Sequence, residues 1–587
     1  MSPLGGSILP LRARRLALSL ADFLSRWQWL AVLVLSPFLL LPSMSRLWLL
    51  PVLPAVWLLA AVSRRRLLLG TPLDWPLALL ALMVLVSAWA TYDIAVSLPK
   101  IAGVILGLGV YSVFAQFGRG RRGLFLLLSV FMAVGLGMAL VGLLYIQWVS
   151  KLPLLGPLLA HLPRAQADLP GAEAGINPNE VAGMLLWLIP MCASLCLLSL
   201  LQFARLRLAI GLAPALALCL CLLAATLLIL GELVLVQSRI AYGALLVAGM
   251  ICLLVASRRR ARLFLAALVL AVALLSLLFL RNGMGTAIEN LFPTGAVPAS
   301  LTSLASLRQR VEVWSRALEA IQDFTVIGMG MNTFRKVVHV LYPLQLTGPD
   351  VDIAHAHNEF LQAALDLGIP GLIAFLAIYI NAFWMFILTW RSAASQPPPS
   401  PLGKACPEPG EGGAGGTGPS PFPLGEGGQG VRFSPLLDSP TSVRALVLGL
   451  AGGLLAHMLY GLADAVALGA KPGLLFWMLL GLTTALYQRS RERLPAEAEP
   501  PEGMPQSSAL PESSATGRPP NDTQEAPDSG TGALRFQWRY LPALPPCRTW
   551  FPKAIAFRVF RALSNYRDPN VPAAKARVDP LLPGPRP

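Results

Sequence analysis

Apolar runs of close to twenty residues, separated by short connections, constrain this chain more than any other feature. A hydrocarbon core ~30 Å thick is crossed by a helix of about 20 residues. Runs near 28–44, 46–62, 74–91, 99–117, 123–148, 181–203, 209–236, 240–257, 263–280, 370–390, 445–466 and 472–488 therefore predict twelve spans. The first two are close enough to form a re-entrant pair, but two full spans keep the later ones consistently oriented. Of the 587 residues 55% are hydrophobic and only 13% charged, against ~25% charged in a soluble domain. With a mean hydropathy of +0.63, a soluble fold and a disordered chain are both excluded. The expected fold class is all-α: a polytopic integral membrane protein of about 12 transmembrane helices.

The net charge of +16 invites a nucleic-acid reading, but the arginines fall in bursts between apolar runs. Alternate connections carry Arg64, Arg65 and Arg66, then Arg119, Arg121 and Arg122, then Arg205 and Arg207, then Arg258, Arg259, Arg260 and Arg262. The basic N-terminus and Arg489, Arg491 and Arg493 fall on the same side, while the intervening connections hold isolated cations such as Arg46, Lys100 and Arg239. The positive-inside rule makes that side cytoplasmic, so both termini are expected in the cytoplasm of a multi-pass inner-membrane protein. No nucleic-acid partner is expected; membrane lipids are. None of the seven cysteines falls in a segment placed outside, so no disulfide framework is expected. The first apolar run leads directly into further spans and reads as an anchor rather than a cleaved signal.

The domain plan follows. Residues 1–27 form a cytoplasmic N-terminus and 28–390 a membrane domain with external loops 149–180 and 281–369. Residues 391–444 form a cytoplasmic insertion, Pro- and Gly-dense over 394–440, and 445–488 the last two spans. Residues 489–587 make a mostly disordered cytoplasmic tail in which 550–566, basic and aromatic, suit an interfacial helix or an unstructured basic segment. The larger external loop predicts a helix of its own. Leu304, Leu307, Val311, Trp314, Leu318 and Ile321 recur at helical spacing, with Arg308, Arg310, Glu312, Arg316 and Glu319 over the remaining surface.

Candidate chemistry concentrates at Asp352 to Leu361, DIAHAHNEFL, ahead of Gly368, Pro370 and Gly371. The segment is expected to open a helix whose N-terminus favours an anion, and a neutral imidazole there can take a proton from a hydroxyl. On a helix, His355 and His357 would diverge by roughly 200°, which argues against a shared metal. No metal and no cofactor are expected. Glu232, in an apolar run about two turns before Arg239, is expected to pair with a cation inside the bundle.

These residues carry a resemblance. His357-Asn358, with Gly368 and Gly371 following, resembles the signature of the O-antigen ligase superfamily, although Asp366 stands where relatives usually carry Glu. Asn177-Pro178-Asn179-Glu180 before a span, Gln237-Ser238-Arg239 closing the seventh, and Arg310 to Trp314 ahead of Gly328 and Gly330 agree with it. The likeness covers about residues 30–390 and resumes at His457 to Phe476, where Asp464 opens a stretch similar to the family's late spans. It implies transfer of a glycan from undecaprenyl diphosphate to an acceptor hydroxyl on the outer face, without nucleotide or metal. It places the catalytic residues at His357, Arg310 and Arg239. The chemistry fits: arginine presents a permanently charged fork to phosphate oxygens, and His357 would serve as base. Asn358, His355, Asn179, Glu180, Lys100 and Trp314 are the expected substrate contacts. Bland readings stand beside these: Arg239 as an interfacial span end, and Arg310 as the polar face of a loop helix. The expected partners are an undecaprenyl-diphosphate-linked glycan donor and a glycan or lipid acceptor. An O-antigen polymerase-like enzyme would use the same donor. The alternatives from other classes are a transporter, the bicarbonate-type label some relatives carry, and a non-catalytic envelope scaffold. Against transport, the spans show little inverted-repeat pattern and few midplane charges, and the polar cluster sits at the surface.

Overall fold

The fold is that of a computed structural model, which describes residues 27–64, 69–146, 176–257, 303–348, 351–395, 439–466 and 468–492 with six single residues between. The expected span 263–280, nearly all of the insertion 394–440, most of the loop 149–180 and the tail helix 550–566 lie outside the described residues. The chain divides into two compact units, Met1–Leu494 and Pro495–Pro587; the second lies wholly outside the described residues.

The described regular structure of the first unit is helical, joined by turns and loops and one isolated bridge between Ile146 and Ile176. Its helices are α1 (Trp27–Leu40), then α2 (Val52–Arg64), α3 (Asp74–Ala90), α4 (Ile94–Phe117), α5 (Arg121–Tyr145), α6 (Pro178–Leu201), α7 (Phe203–Ile210), α8 (Leu212–Val236), α9 (Arg239–Ala256), α10 (Ser303–Asp323), α11 (Phe334–Leu341), α12 (Glu359–Ser395), α13 (Pro440–Gly461) and α14 (Leu474–Glu492). Seven of them, α4, α5, α6, α8, α9, α12 and α13, are long and apolar enough to cross a membrane. The chain is a multi-pass membrane protein. α1, a Met44–Leu59 stretch and α3 are apolar but shorter. α3 presents Trp75 and Trp89 outward near its two ends, 76% and 72% exposed; that places them ~21 Å apart at 1.5 Å per residue, as interfacial anchors on a lipid-facing helix would be.

Small residues set the closest helix contacts, as expected where lipid supplies no hydrophobic drive for association. A Cβ on Gly107 of α4 would fall 2.1 Å from the Trp477 indole of α14, and one on Gly481 would fall 2.3 Å from Phe114. A Cβ on Gly453 of α13 would meet the Trp187 carbonyl of α6 at 2.8 Å. α14, the expected last span, is accordingly buried almost continuously from Leu475 to Tyr487.

One break positions the functional end. α12 has 37 residues, and unbroken it would run ~55 Å. Gly368 interrupts it with φ 71° and ψ 179°, a conformation essentially reserved for glycine. The break is tied to the 325–329 loop, where Ile369 donates to the Thr325 carbonyl at 2.8 Å and Met329 to the Leu365 carbonyl at 2.7 Å. The result is a half-helix, 359–367, that carries the His357 segment at its N-terminus, followed by the membrane-crossing part.

α10 is the helix expected in the large loop, but its buried face differs from the expected stripe. Val313, Ala317 and Ala320 are buried, whereas Val311 and Leu318 are 52% and 50% exposed. Small side chains let α10 lie close to α12, so the packed face follows size rather than hydrophobicity. Arg310 and Trp314, one turn apart, lie on that inner side.

Candidate functional site

Four separate stretches meet at one end of the bundle: α10, the 351–358 segment, the half-helix of α12, and the turn after α13. The 351–358 segment is not helical. Asn358 caps the half-helix, its Oδ1 accepting from the amides of Phe360 and Leu361 at 3.0 Å each. Its Nδ2 donates to the Leu462 carbonyl at 2.8 Å, so its polar atoms are engaged within the protein. Gln362 reaches back to accept from the Ala356 amide at 2.9 Å, tying the segment before the cap to the first turn of the half-helix.

His357 itself has φ 49°, a left-handed conformation that is uncommon for a non-glycine residue. It lets the His357 amide donate to His355 Nδ1 at 3.2 Å while its carbonyl accepts from the Trp314 indole at 3.2 Å. The expectation that the two imidazoles diverge is thereby corrected. Without a helix at 355–357, both rings face one carboxylate, with centroids 4.6 Å apart and planes at 70°.

That carboxylate is Asp464, in the turn after α13. His357 Nδ1 lies 3.2 Å from Oδ1 and His355 Nε2 3.9 Å from the same oxygen. Arg310 donates to Oδ2 at 3.0 Å and also to the Ala463 carbonyl. Burial pushes the Asp464 carboxyl up, but the hydrogen bond from His357 and the charges of His355, His357 and Arg310 outweigh it and hold the group at about 2. His355 moves the other way. Burial, with smaller pushes from His357, Lys100 and Arg310 against the pull of Asp464, lowers it to about 3, so it is a neutral ring at neutral pH. His355, His357 and Asp464 have ligand atoms within 4.8 Å of one another, a spacing that a metal ion could bridge. The Arg310 guanidinium on the same carboxylate supplies the positive charge that a metal would bring.

A second ion pair sits beside the first. Lys100 Nζ is 3.9 Å from Asp366 Oδ2, and Asp366 Oδ1 accepts from the Asn332 amide at 3.1 Å and from Gln362 Nε2 at 2.8 Å. In both pairs the acid is the deeper partner: Asp464 is 1% exposed against 14% for Arg310, and Asp366 2% against 12% for Lys100. Glu180, at the start of α6, interacts electrostatically with Lys100 and Lys471. The Asn179 carbonyl accepts from Tyr460 at 2.6 Å, with Asn177 capping α6 by accepting from the Asn179 amide. Asn179 and Glu180 thus border the cluster.

Arg239 stands apart. It is exposed at the first turn of α9 and is not among the residues around Asp464. Glu232 is also corrected: its carboxyl is buried near Gly142 of α5, its Oε1 has no hydrogen-bond partner, and no cation pairs with it among the described residues. Asp464 is the residue that sequence reasoning missed as part of the site. The available signal was its position as the sole acid of the apolar run 445–466, close to the end of that run.

A histidine whose Nδ1 faces a buried carboxylate, beside the partly open side chains of Arg310 and Lys100, defines a class: a helical membrane protein with a polar cluster at one end of its bundle. Residues 223–376 match the family described as O-antigen ligase. The chain therefore carries a domain of the O-antigen ligase superfamily. The match spans Arg239, Arg310, His355 and His357 and ends before Asp464. No curated protein matches the chain.

Proposed function

We propose that the chain is a glycosyltransferase that moves a glycan from undecaprenyl diphosphate to an acceptor hydroxyl on the outer face of the cytoplasmic membrane. The observation that carries this reading is the chain of contacts His357–Asp464–Arg310. With Nδ1–H donated to Asp464, the free lone pair lies on His357 Nε2, the tautomer a general base requires. The base removes the acceptor hydroxyl's proton as the oxygen attacks the sugar's anomeric carbon. The bond to the diphosphate oxygen breaks, and that leaving group departs as an anion. Arg310, on the open side of Asp464, is the cation for that developing charge. Lys100 is a further phosphate contact, with Asn179 and Glu180 along the border, whereas Arg239 would have to reach the donor from outside this cluster. Trp314 and Asn358 hold the His357 turn. The donor carries its own activation, so no nucleotide is needed outside the cell.

The test is transfer by purified protein in detergent, supplied with an undecaprenyl-diphosphate oligosaccharide and candidate acceptors. Product is expected from wild type, and none from His357→Ala or Arg310→Ala at equal expression. Undiminished transfer by both variants would overturn the assignment. Polymerization of the same donor, in place of transfer to a lipid acceptor, would identify the polymerase-like form of this chemistry.

A further inference from the structure

Beneath the His357 turn the bundle encloses ionisable side chains that the transfer chemistry leaves without a task. His457 of α13 is fully buried, stacked on Trp187 of α6 with ring centroids 3.9 Å apart and planes at 22°. Its Nδ1 lies 3.4 Å from Oε2 of Glu359, the first residue of the half-helix. Both nitrogens of His457, Oε2 of Glu359 and the hydroxyl of Tyr379 are buried with no hydrogen-bond partner among the described residues, so the His457–Glu359 approach is a contact rather than a formed hydrogen bond. Phe360, Phe375, Tyr379 and Phe476 pack with tilted rings close by. In such a setting a leucine would pack without the desolvation cost that a carboxyl and an imidazole bring. Their presence calls for a task that only the pair can perform.

We propose that Glu359 and His457 are positioning residues that hold the His357 turn in register on Asp464. The geometry is a three-rung tie between two antiparallel pieces of chain. Glu359 meets His457, Asn358 donates to the carbonyl of Leu462, and His357 reaches Asp464. The consecutive residues 357, 358 and 359 are thus fixed by 464, 462 and 457 in turn on the other piece. Two rungs lie at the surface of the site; the Glu359–His457 rung is the one locked inside the bundle. Gly461 completes the fit, since a Cβ there would fall 2.6 Å from Glu359 Oε2. The left-handed backbone of His357, one residue outside the cap, has little intrinsic preference for its observed conformation and depends on such ties. The pair acts through the turn and does not touch substrate.

The kinetic arm of the test rests on the transfer reading above, and an amide-exchange arm does not. Purified full-length wild type, His457→Leu, His457→Gln and Gly461→Ala are compared for kcat, KM and hydrogen–deuterium exchange. His457→Leu and Gly461→Ala are expected to lower kcat by at least about tenfold with KM within about twofold, as misplacement of a catalytic group does. Exchange should rise at residues 355–362 and not along α6 or the rest of α13. His457→Gln, whose amide can meet Glu359 in place of the imidazole, should recover kcat to within about threefold of wild type. Wild-type exchange at 355–362 in both His457→Leu and Gly461→Ala would overturn the proposal. So would protection lost equally across α6 and α13, or a glutamine variant as impaired as the leucine one. Should wild type transfer no glycan to any acceptor, the transfer reading fails, and the exchange pattern by itself decides for or against the positioning pair.

Discussion

Replacing Asp464 by asparagine tests the site with almost no change of shape. Arg310 donates to Oδ2 at 3.0 Å, so an amide at this position must turn its oxygen toward the guanidinium. Its NH2 then faces His357 Nδ1, 3.2 Å from Oδ1 in the wild type. An amide donor there obliges Nδ1 to accept, which moves the imidazole proton to Nε2 and removes the lone pair that would take the acceptor's proton. General-base catalysis contributes about 10²–10⁴-fold, so kcat should fall within that range, equivalent to roughly 3–5 kcal/mol of barrier. KM for the donor should change little, because Arg310 keeps an acceptor and its position. Steady-state transfer kinetics across a pH series would read this. The double variant His357→Ala/Asp464→Asn should be no slower than His357→Ala alone, since both changes remove one unit of function. Near-wild-type kcat in Asp464→Asn, or additive losses in the double variant, would refute the tautomer argument.

Stability should fall with acid in two windows. His355 sits at about 3 when folded against an ordinary 6.5, so the unfolded chain takes up the proton first and stability drains as pH falls from about 6.5 toward 3. Asp464, at about 2 against 3.8, adds a loss of about 2 kcal/mol between those values. Thermal melts in detergent should show both windows, and His355→Asn should flatten the first; a melting temperature indifferent to pH from 6.5 to 3 would refute the burial argument. Gly368→Ala should cost roughly 3 kcal/mol or more, because a Cβ would lie 2.3 Å from the Val326 carbonyl at a φ of +71°; an unchanged melting temperature would show that the break is not strained. EDTA should leave transfer unchanged, since Arg310 already matches the Asp464 charge; activity lost with chelator and restored by a divalent cation would reveal a metal bridging His355, His357 and Asp464.

The helices were legible because membrane helices announce themselves by length and hydropathy, and the structure places helices along eleven of the twelve expected runs, with the run at 263–280 outside the described residues. The packed face of α10 was not legible from hydrophobicity, because Ala317 and Ala320 earn burial by being small while Val311 and Leu318 stay exposed. His357 and Arg310 could be singled out as residue types suited to the chemistry. Their common partner could not, because Asp464 lies 107 residues from His357 in the chain and no local pattern encodes that pairing. The convergence of His355 and His357 was hidden for a different reason. Helical spacing was the natural assumption for a segment opening a helix, and the left-handed backbone at His357 voids it. Arg239 remains a residue whose chemistry fits better than its position.

The charge arrangement at the mouth separates the competing classes better than any single residue. Asp464 and Asp366 are nearly sealed, while Arg310 and Lys100, their partners, keep 14% and 12% of their side-chain surface open. Each acid cancels the desolvation penalty of holding a cation in a poorly hydrated place, and the cation rather than the acid meets whatever enters. Such an arrangement suits an anion, and in the proposed reaction a diphosphate leaving group gains negative charge as its bond to the sugar breaks. A transport pathway asks instead for polar groups near the bilayer midplane. The acid that the sequence offered for that purpose, Glu232, is buried among α5 and α8 side chains with no cation partner among the described residues. The partly open cations at this end of the bundle suit the proposed headgroup chemistry, while the buried Glu359 and His457 beneath them face each other.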